Sequence, residues 1–307
     1  MPFNKFSETK YDNVNKRTAL IPEKIRYSVN SNKMKVFVLS NLFIGSNLTD
    51  IETLKEYISK IKSTPSATVI ILGNLLEKQS TKDQIQKRLE VIANGDTLES
   101  INDFITEEQV EVIKLLNPIK DKIAVAVRGK QEYEVQVATG VDPLKVVFET
   151  LKIKDRYVGD SFILDLGNKN KESIQIYGTN GSAESTSIKH RKVKKTSTLL
   201  NSLMDVADSE YNYCDWYLVS TNGSFEQIED SKEFFDNIDH KVVNKTRRFT
   251  CVDGWINYTG SAITSENKTF LNNHKIFEWY FRGGKPQLIR HDYQPSKVIE
   301  QNSSRSR

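Results

Sequence analysis

The sequence predicts an α/β protein whose β-sheets pack together between helices. Two features of the chain carry that expectation. Short apolar runs (KVFVLS from Lys35, ATVIILGN from Ala67, KIAVAVRG from Lys122) alternate with amphipathic segments through the first half. The second half turns β-rich, with SFILDLG, SIQIYGTN, DWYLVSTN, FTCVDGWINYTGSAI and KIFEWYFRGGKPQLIRHDY. Strand–helix alternation followed by strands builds layered α/β architectures.

Each element has a local reason. TDIETLKEYISKI places Thr49 and Glu52 in capping-box spacing and sets Ile51, Leu54, Ile58 and Ile61 on one helical face. A helix is expected over about 81–93, and another in TEEQVEVIKLL, where Thr106 precedes Gln109 by three residues. VDPLKVVFETLKI opens on Asp142 as N-cap and Pro143 at the first helical position. A further helix is expected over about 196–207, and antiparallel strands from about 247 onward. Residues 1–33 read as a polar N-terminal arm, 34–295 as one domain and 296–307 as a disordered tail.

Composition excludes some functions. The 307 residues carry 44 basic and 40 acidic side chains, a net charge of +4 that permits an anionic partner without demanding one. No apolar run approaches the roughly 20 residues that cross a bilayer, so no membrane role is expected. The opening MPFNKFSETKYDN lacks the apolar core of a secretion signal. Cys214 and Cys251 lack metal-motif spacing, which fits a reducing compartment.

Five strand-end turns carry the functional argument. They are SNLFIG (40–45), GNLLEK (73–78), RGKQEYE (128–134), IYGTNGS (176–182) and DWYLVSTNGS (215–224). Their order and setting resemble the calcineurin-like metallophosphoesterase superfamily, in its nuclease-like and phage-type branch. The resemblance spans about 34–293, and YTGSAI (258–263) and GGKPQL (283–288) resemble the closing sheet of phage-type members. It implies a four-layer αββα fold of two packed mixed sheets flanked by helices. It also implies a two-metal site built from D-x-H, G-D, G-N-H-[DE], H-G and G-H-x-H blocks.

This chain departs from that pattern at the ligands. Asn41 and Phe43 stand where Asp and His are expected, and Asn74 replaces the bridging Asp. Lys130 and Gln131 replace Asn and His, although Gly129 and Glu132 survive. Asn180 replaces a His, and Thr221 and Gly223 take the positions of two imidazoles. Two divalent ions about 3.5–4 Å apart need a bridging carboxylate to offset their repulsion, and an amide oxygen carries no net charge. An ammonium group 4 Å from a cation costs about 4 kcal/mol even at an effective dielectric near 20. Relocated ligands are not evident, because His190, His240, His274 and His291 all lie away from the five turns. Glu132 and Glu77, close to the turns, read as ion-pair partners of Lys130. No catalytic residue, metal or cofactor is therefore expected. Neutral amides and Lys130 fill the old pocket, with a reused phosphate site on Lys130 and backbone N–H groups as the alternative.

Three functional readings follow. The first is a catalytically inactive scaffold subunit with protein partners, phage-encoded by its Lys/Asn/Ile-rich sequence. It would act in a virion, replication or transcription complex, hence in host cytoplasm or virion. The resemblance supplies a precedent in the inactive small subunits of replicative DNA polymerases. The second is nucleic-acid binding by the basic run Lys189, Arg191, Lys192, Lys194 and Lys195, joined by Lys245, Arg247 and Arg248. A solvated loop explains the same run. The third is a divergent phosphodiesterase with relocated metal ligands. Aromatic clusters at 211–217, 231–235 and 277–281 read mainly as core.

Overall fold

Among the residues described in the computed structural model, eleven strands form two sheets. The model describes residues 22–95, 105–168, 170, 172–180, 196–209, 214–220, 225–236, 241–255, 275–282 and 285–293. In chain order the strands are β1 (Glu23–Val29), β2 (Lys33–Leu39), β3 (Ala67–Ile71), β4 (Ile123–Ala126), β5 (Ser161–Asn168) and β6 (Ser173–Thr179). They continue with β7 (Trp216–Ser220), β8 (Glu226–Asp236), β9 (Lys241–Val252), β10 (Lys275–Arg282) and β11 (Lys285–Asp292). One sheet has the order β11-β10-β2-β3-β4, and the other β1-β5-β6-β7-β9-β8. Both are mixed: β2, β3 and β4 run parallel while β10 is antiparallel to β2, and β6, β7 and β9 run parallel while β8 is antiparallel to β9.

The helices are α1 (Ile51–Ser63), α2 (Lys78–Ala93), α3 (Glu107–Leu116), α4 (Lys130–Thr139), α5 (Pro143–Thr150) and α6 (Thr196–Ser209). Strand alternation sorts the side chains into three buried layers. Met34, Val36 and Val38 of β2 point toward the second sheet and meet Phe162, Leu164, Ile176 and Trp216. Phe37 and Leu39, one residue out of phase, meet Leu54, Tyr57, Ile58 and Ile61 of α1. On the far side, Tyr217, Phe249 and Cys251 meet Leu200, Leu203 and Ala207 of α6. Helix, sheet, sheet and helix therefore stack as four layers, the architecture expected from the sequence. Strands covered on both faces read as continuous apolar runs, and each fully buried large side chain contributes about 1.5–3 kcal/mol. No helix among the described residues is long and apolar enough to cross a membrane.

Several elements differ from the sequence reading. Asp50, not Thr49, caps α1, accepting from Thr53 N at 3.1 Å, while the Thr49 hydroxyl donates to the carbonyls of Leu42 and Phe43. The second helix starts at Lys78, because Glu77 accepts the Ser80 N–H and caps it. Glu23–Val29, inside the expected arm, is an edge strand parallel to β5. The late antiparallel pairing begins at Glu226, and β9 also lies parallel to β7. Of the aromatics, Trp216, Tyr217, Phe277 and Trp279 are core. The tail, YTGSAI and the tyrosines at 211 and 213 lie outside the described residues.

Two cations hold the frame together. Lys122 Nζ donates to the carbonyls of Ile61, Lys62 and Thr64 at 2.6–2.8 Å, closing the C-terminal end of α1. Arg247 is fully buried, stacks over Phe249 and donates to Asp208 of α6 and Asp230 of β8. Hydrogen bonds from Lys232, with Arg247 adding to them, hold the Asp208 carboxyl below its ordinary 3.8. Lys122→Met is expected to cost about 2 kcal/mol, read by urea denaturation. Because the folded pKa of Asp208 lies below the unfolded one, its contribution is complete above about pH 4 and is lost as pH falls further. Arg247→Met should therefore lower stability at pH 7 and flatten its acid dependence below pH 4.

Candidate functional site

The parallel strands β2, β3 and β4 end side by side, and their following turns zip together. Asn41 N donates to Gly73 O at 2.9 Å, Phe43 N to Asn74 O at 3.0 Å, and Ile44 N to Leu75 O at 2.8 Å. The conformation is demanding: Asn41, Phe43 and Asn74 have φ of 52°, 48° and 52°. Asparagine tolerates this left-handed region, whereas phenylalanine does so at a cost of about 1–2 kcal/mol. Burial of the Phe43 ring offsets that cost. The third turn presses in so closely that a Cβ on Gly129 would lie 2.2 Å from Asn74 N. Only glycine fits there.

The side chains on these turns form a closed amide network. Asn74 Nδ2 donates to Asn41 Oδ1 at 2.7 Å and to Asn180 Oδ1 at 3.4 Å, and Asn74 Oδ1 accepts the Gln131 N–H at 3.0 Å. Asn180 Oδ1 also accepts the Lys130 N–H at 3.3 Å. Asn180 Nδ2 donates to Leu72 O and to Ser220 Oγ, and the Ser220 hydroxyl returns a bond to Asn180 O at 3.0 Å. Asn41, Asn74, Asn180 and Ser220 are all buried. Five elements thus converge on four small polar side chains.

Beneath the network lies a buried carboxylate whose role the sequence reading missed. Glu132 accepts four backbone N–H groups, from Asn74 at 2.9 Å, Leu75 at 2.6 Å, Leu76 at 3.1 Å and Gly129 at 2.8 Å. Burial pushes its carboxyl pKa up, against bonds from Leu76, Gly129 and Asn74 that favour the charged form. The signal was present, since Glu three residues into a helix that starts after Gly129 has capping-box spacing.

The expected ion pairs of Glu132 and Glu77 with Lys130 are therefore corrected. Glu132 binds backbone, Glu77 caps α2, and Lys130 leans outward toward Glu134 at 3.7 Å with a two-thirds exposed side chain. The Lys130 ammonium does not fill the pocket. Gln131 turns its side-chain oxygen to the Lys78 N–H at 3.0 Å. Thr221, Gly223, Lys189, Arg191, Lys192, Lys194 and Lys195 lie outside the described residues. Arg247 does not reach solvent, and Arg248 bonds Glu229 at 2.9 Å over the Trp279 ring.

A pair of divalent cations does not fit this donor set. Where the resemblance leads one to expect a bridging carboxylate, Asn74 directs N–H donors at Asn41 and Asn180. Phe43 offers no donor atom at all. Among the described residues no group of three or more His, Cys, Asp or Glu side chains is placed to hold a metal ion. The N–H groups of Lys130 and Gln131, which a phosphate would need, are already bonded to Asn180 and Asn74.

No protein-family model matches the chain, and no curated protein matches it. Among solved structures it is similar to Vps29 of Chaetomium thermophilum, at 11% identity over 86% of this chain and 97% of that one, with a TM-score of 0.38. Vacuolar Protein Sorting 29 from Cryptosporidium parvum gives 11% over 85% and 98%, with 0.37. The hypothetical protein PH1004 from Pyrococcus horikoshii OT3 gives 14% over 89% and 93%, with 0.38. The four layers stand on the strand order and the three cores.

The network generates a direct prediction. Asn74→Asp replaces the donor to Asn41 and Asn180 with a buried anion facing two carbonyl oxygens. The expected loss is about 2–4 kcal/mol in denaturant unfolding. Unchanged stability would mean that the turns accommodate a carboxylate and that the amide bonds are incidental.

Proposed function

We propose that this chain is a non-catalytic binding or scaffold subunit, built on a metallophosphoesterase-type architecture whose metal site has been replaced by an amide network. One observation carries the reading: the Asn74 amide, at the position of the bridging carboxylate, has both its polar atoms engaged by Asn41, Asn180 and the Gln131 backbone. A dimetal hydrolase needs anionic charge at that point. The reading of relocated ligands is weakened by the same geometry, since Glu132 and Glu77 are both committed to backbone N–H groups.

Protein partners follow from this reading. A large, rigid layered body without hydrolytic chemistry has its surfaces left to offer. The phage-encoded setting, and the choice between virion, replication and transcription complexes, belong to the proposal and rest on the sequence alone. Nucleic-acid contact rests on the run from Lys189 to Lys195, because Arg247 and Arg248 are held by Asp208, Asp230 and Glu229.

The test is metal content together with turnover. Purified protein should carry substoichiometric Mn, Fe and Zn by elemental analysis, and should leave a chromogenic phosphodiester uncleaved with Mn²⁺, Mg²⁺ or Zn²⁺ added. Stoichiometric transition metal, or Mn²⁺-stimulated cleavage abolished by Glu132→Gln, would overturn the proposal.

A further inference from the structure

A strand at the edge of a sheet offers a row of unpaired N–H and C=O groups, which proteins usually cover or guard. Among the described residues the two sheets end on β4, β11, β1 and β8. The edge of β4 is taken by the chain after α5, where Val158 N donates to Ala126 O at 3.0 Å and Arg128 N to Gly159 O at 2.7 Å. β11 carries Pro286, which discourages strand addition. β1 is seven residues long and sets the exposed cations Lys24 and Arg26 along its edge. β8 has none of these devices. It runs for eleven residues without a proline, and its one lysine, Lys232, is held by Asp208. It also outreaches its sheet: β7 pairs with β9 only over Arg248–Val252, so the β8–β9 ribbon continues past the end of β7 from Asp230 onward.

Charge decides what this edge accepts. β8 holds five acids and one base, whereas β9 holds four bases and no acid, so the outer strand of the ribbon is the acidic one. Arg248 answers Glu229 and Arg247 answers Asp230. Glu233 lies exposed opposite Asn244 and makes no ion pair among the described residues. Strand alternation puts Glu229, Ser231 and Glu233 in one row, and all three are exposed. A second copy fits this edge poorly. Full-length antiparallel pairing of β8 with itself would set Glu229 of each copy opposite Glu233 of the other, and like charges directly opposite are destabilising.

We infer that β8 docks an extended basic segment of a protein partner, added to this sheet as one more strand, with two Lys or Arg residues four positions apart beside Glu229 and Glu233. Main-chain bonds supply the affinity and the acidic row selects the strand. The inference rests on the scaffold reading for there being a partner, and deepens it by naming the partner's chemistry. Its test needs neither metal nor turnover, so its failure leaves the scaffold reading standing.

Fluorescence anisotropy of the full chain at low ionic strength provides that test. The probe is a labelled eight-residue peptide of alternating Thr and Val in which two lysines, four positions apart, replace Thr. It is compared with the same peptide carrying glutamates for the lysines, and with the lysine peptide interrupted by a central proline. The lysine peptide should bind at one site per chain, and each comparison peptide at least about tenfold more weakly. Glu233→Lys should weaken the lysine peptide about tenfold, while Glu111→Lys, the same charge change at an exposed position of α3, leaves it unchanged. Thermal melts establish that each variant retains the fold. Absence of binding at millimolar peptide, equal affinity for either comparison peptide, indifference to Glu233→Lys, or equal weakening by Glu111→Lys would overturn the inference. So would a dimer in sedimentation velocity that Glu233→Lys strengthens, because a second copy would then occupy the edge.

Discussion

Where three parallel strands end together, their turns must bring backbone and side-chain polar groups into a space closed to water, and every one of those groups needs a partner. In this protein the Asn74 amide supplies partners to three of those groups. Asn74 links the turn after β2 to the chain after β6 through its NH₂ and to the start of α4 through its oxygen. An unpaired buried polar group costs about 1–3 kcal/mol, so three such groups left open would cost a large share of a marginal stability. The rest of the architecture is arranged around that closure.

Glu132 shows the same economy one layer down. Its carboxylate collects four N–H groups from two turns that otherwise lack acceptors, and so ties α4 to the end of β3. With that anion in place, the left-handed conformations of Asn41, Phe43 and Asn74 are over-determined by contacts on every side. Neutral amides suit the space above. A second carboxylate close to Glu132 would have no cation to balance it, since Lys130 points to solvent. The amides give the turns their hydrogen bonds without adding a second charge to the space.

Much of this was legible from residue patterns. The apolar runs of β2, β3 and β4 declared themselves because both faces are covered, and Asp142–Pro143 marked the start of α5 through its capping bonds. The convergence of Asn41, Asn74, Asn180 and Gln131 was expected only through the family resemblance, since Asn180 follows β6 of the other sheet. Other features depend on partners far away in the chain. β1 was hidden because Glu23, Lys24 and Arg26 mask the alternation of Ile25, Tyr27 and Val29 along an edge. Arg247 looked like surface charge because its burial is possible only with Asp208 and Asp230, contributed by two other elements. The outward turn of Lys130 was equally invisible, being set by Glu134 one helical turn on.

The central claim is that side-chain amides, and not metal ions, join the strand-end turns. Anomalous diffraction from crystals soaked in manganese tests it most directly. The account predicts no anomalous density among Asn41, Asn74, Asn180 and Ser220, with the amide contacts intact. Two strong peaks about 3.5–4 Å apart in that space would contradict it.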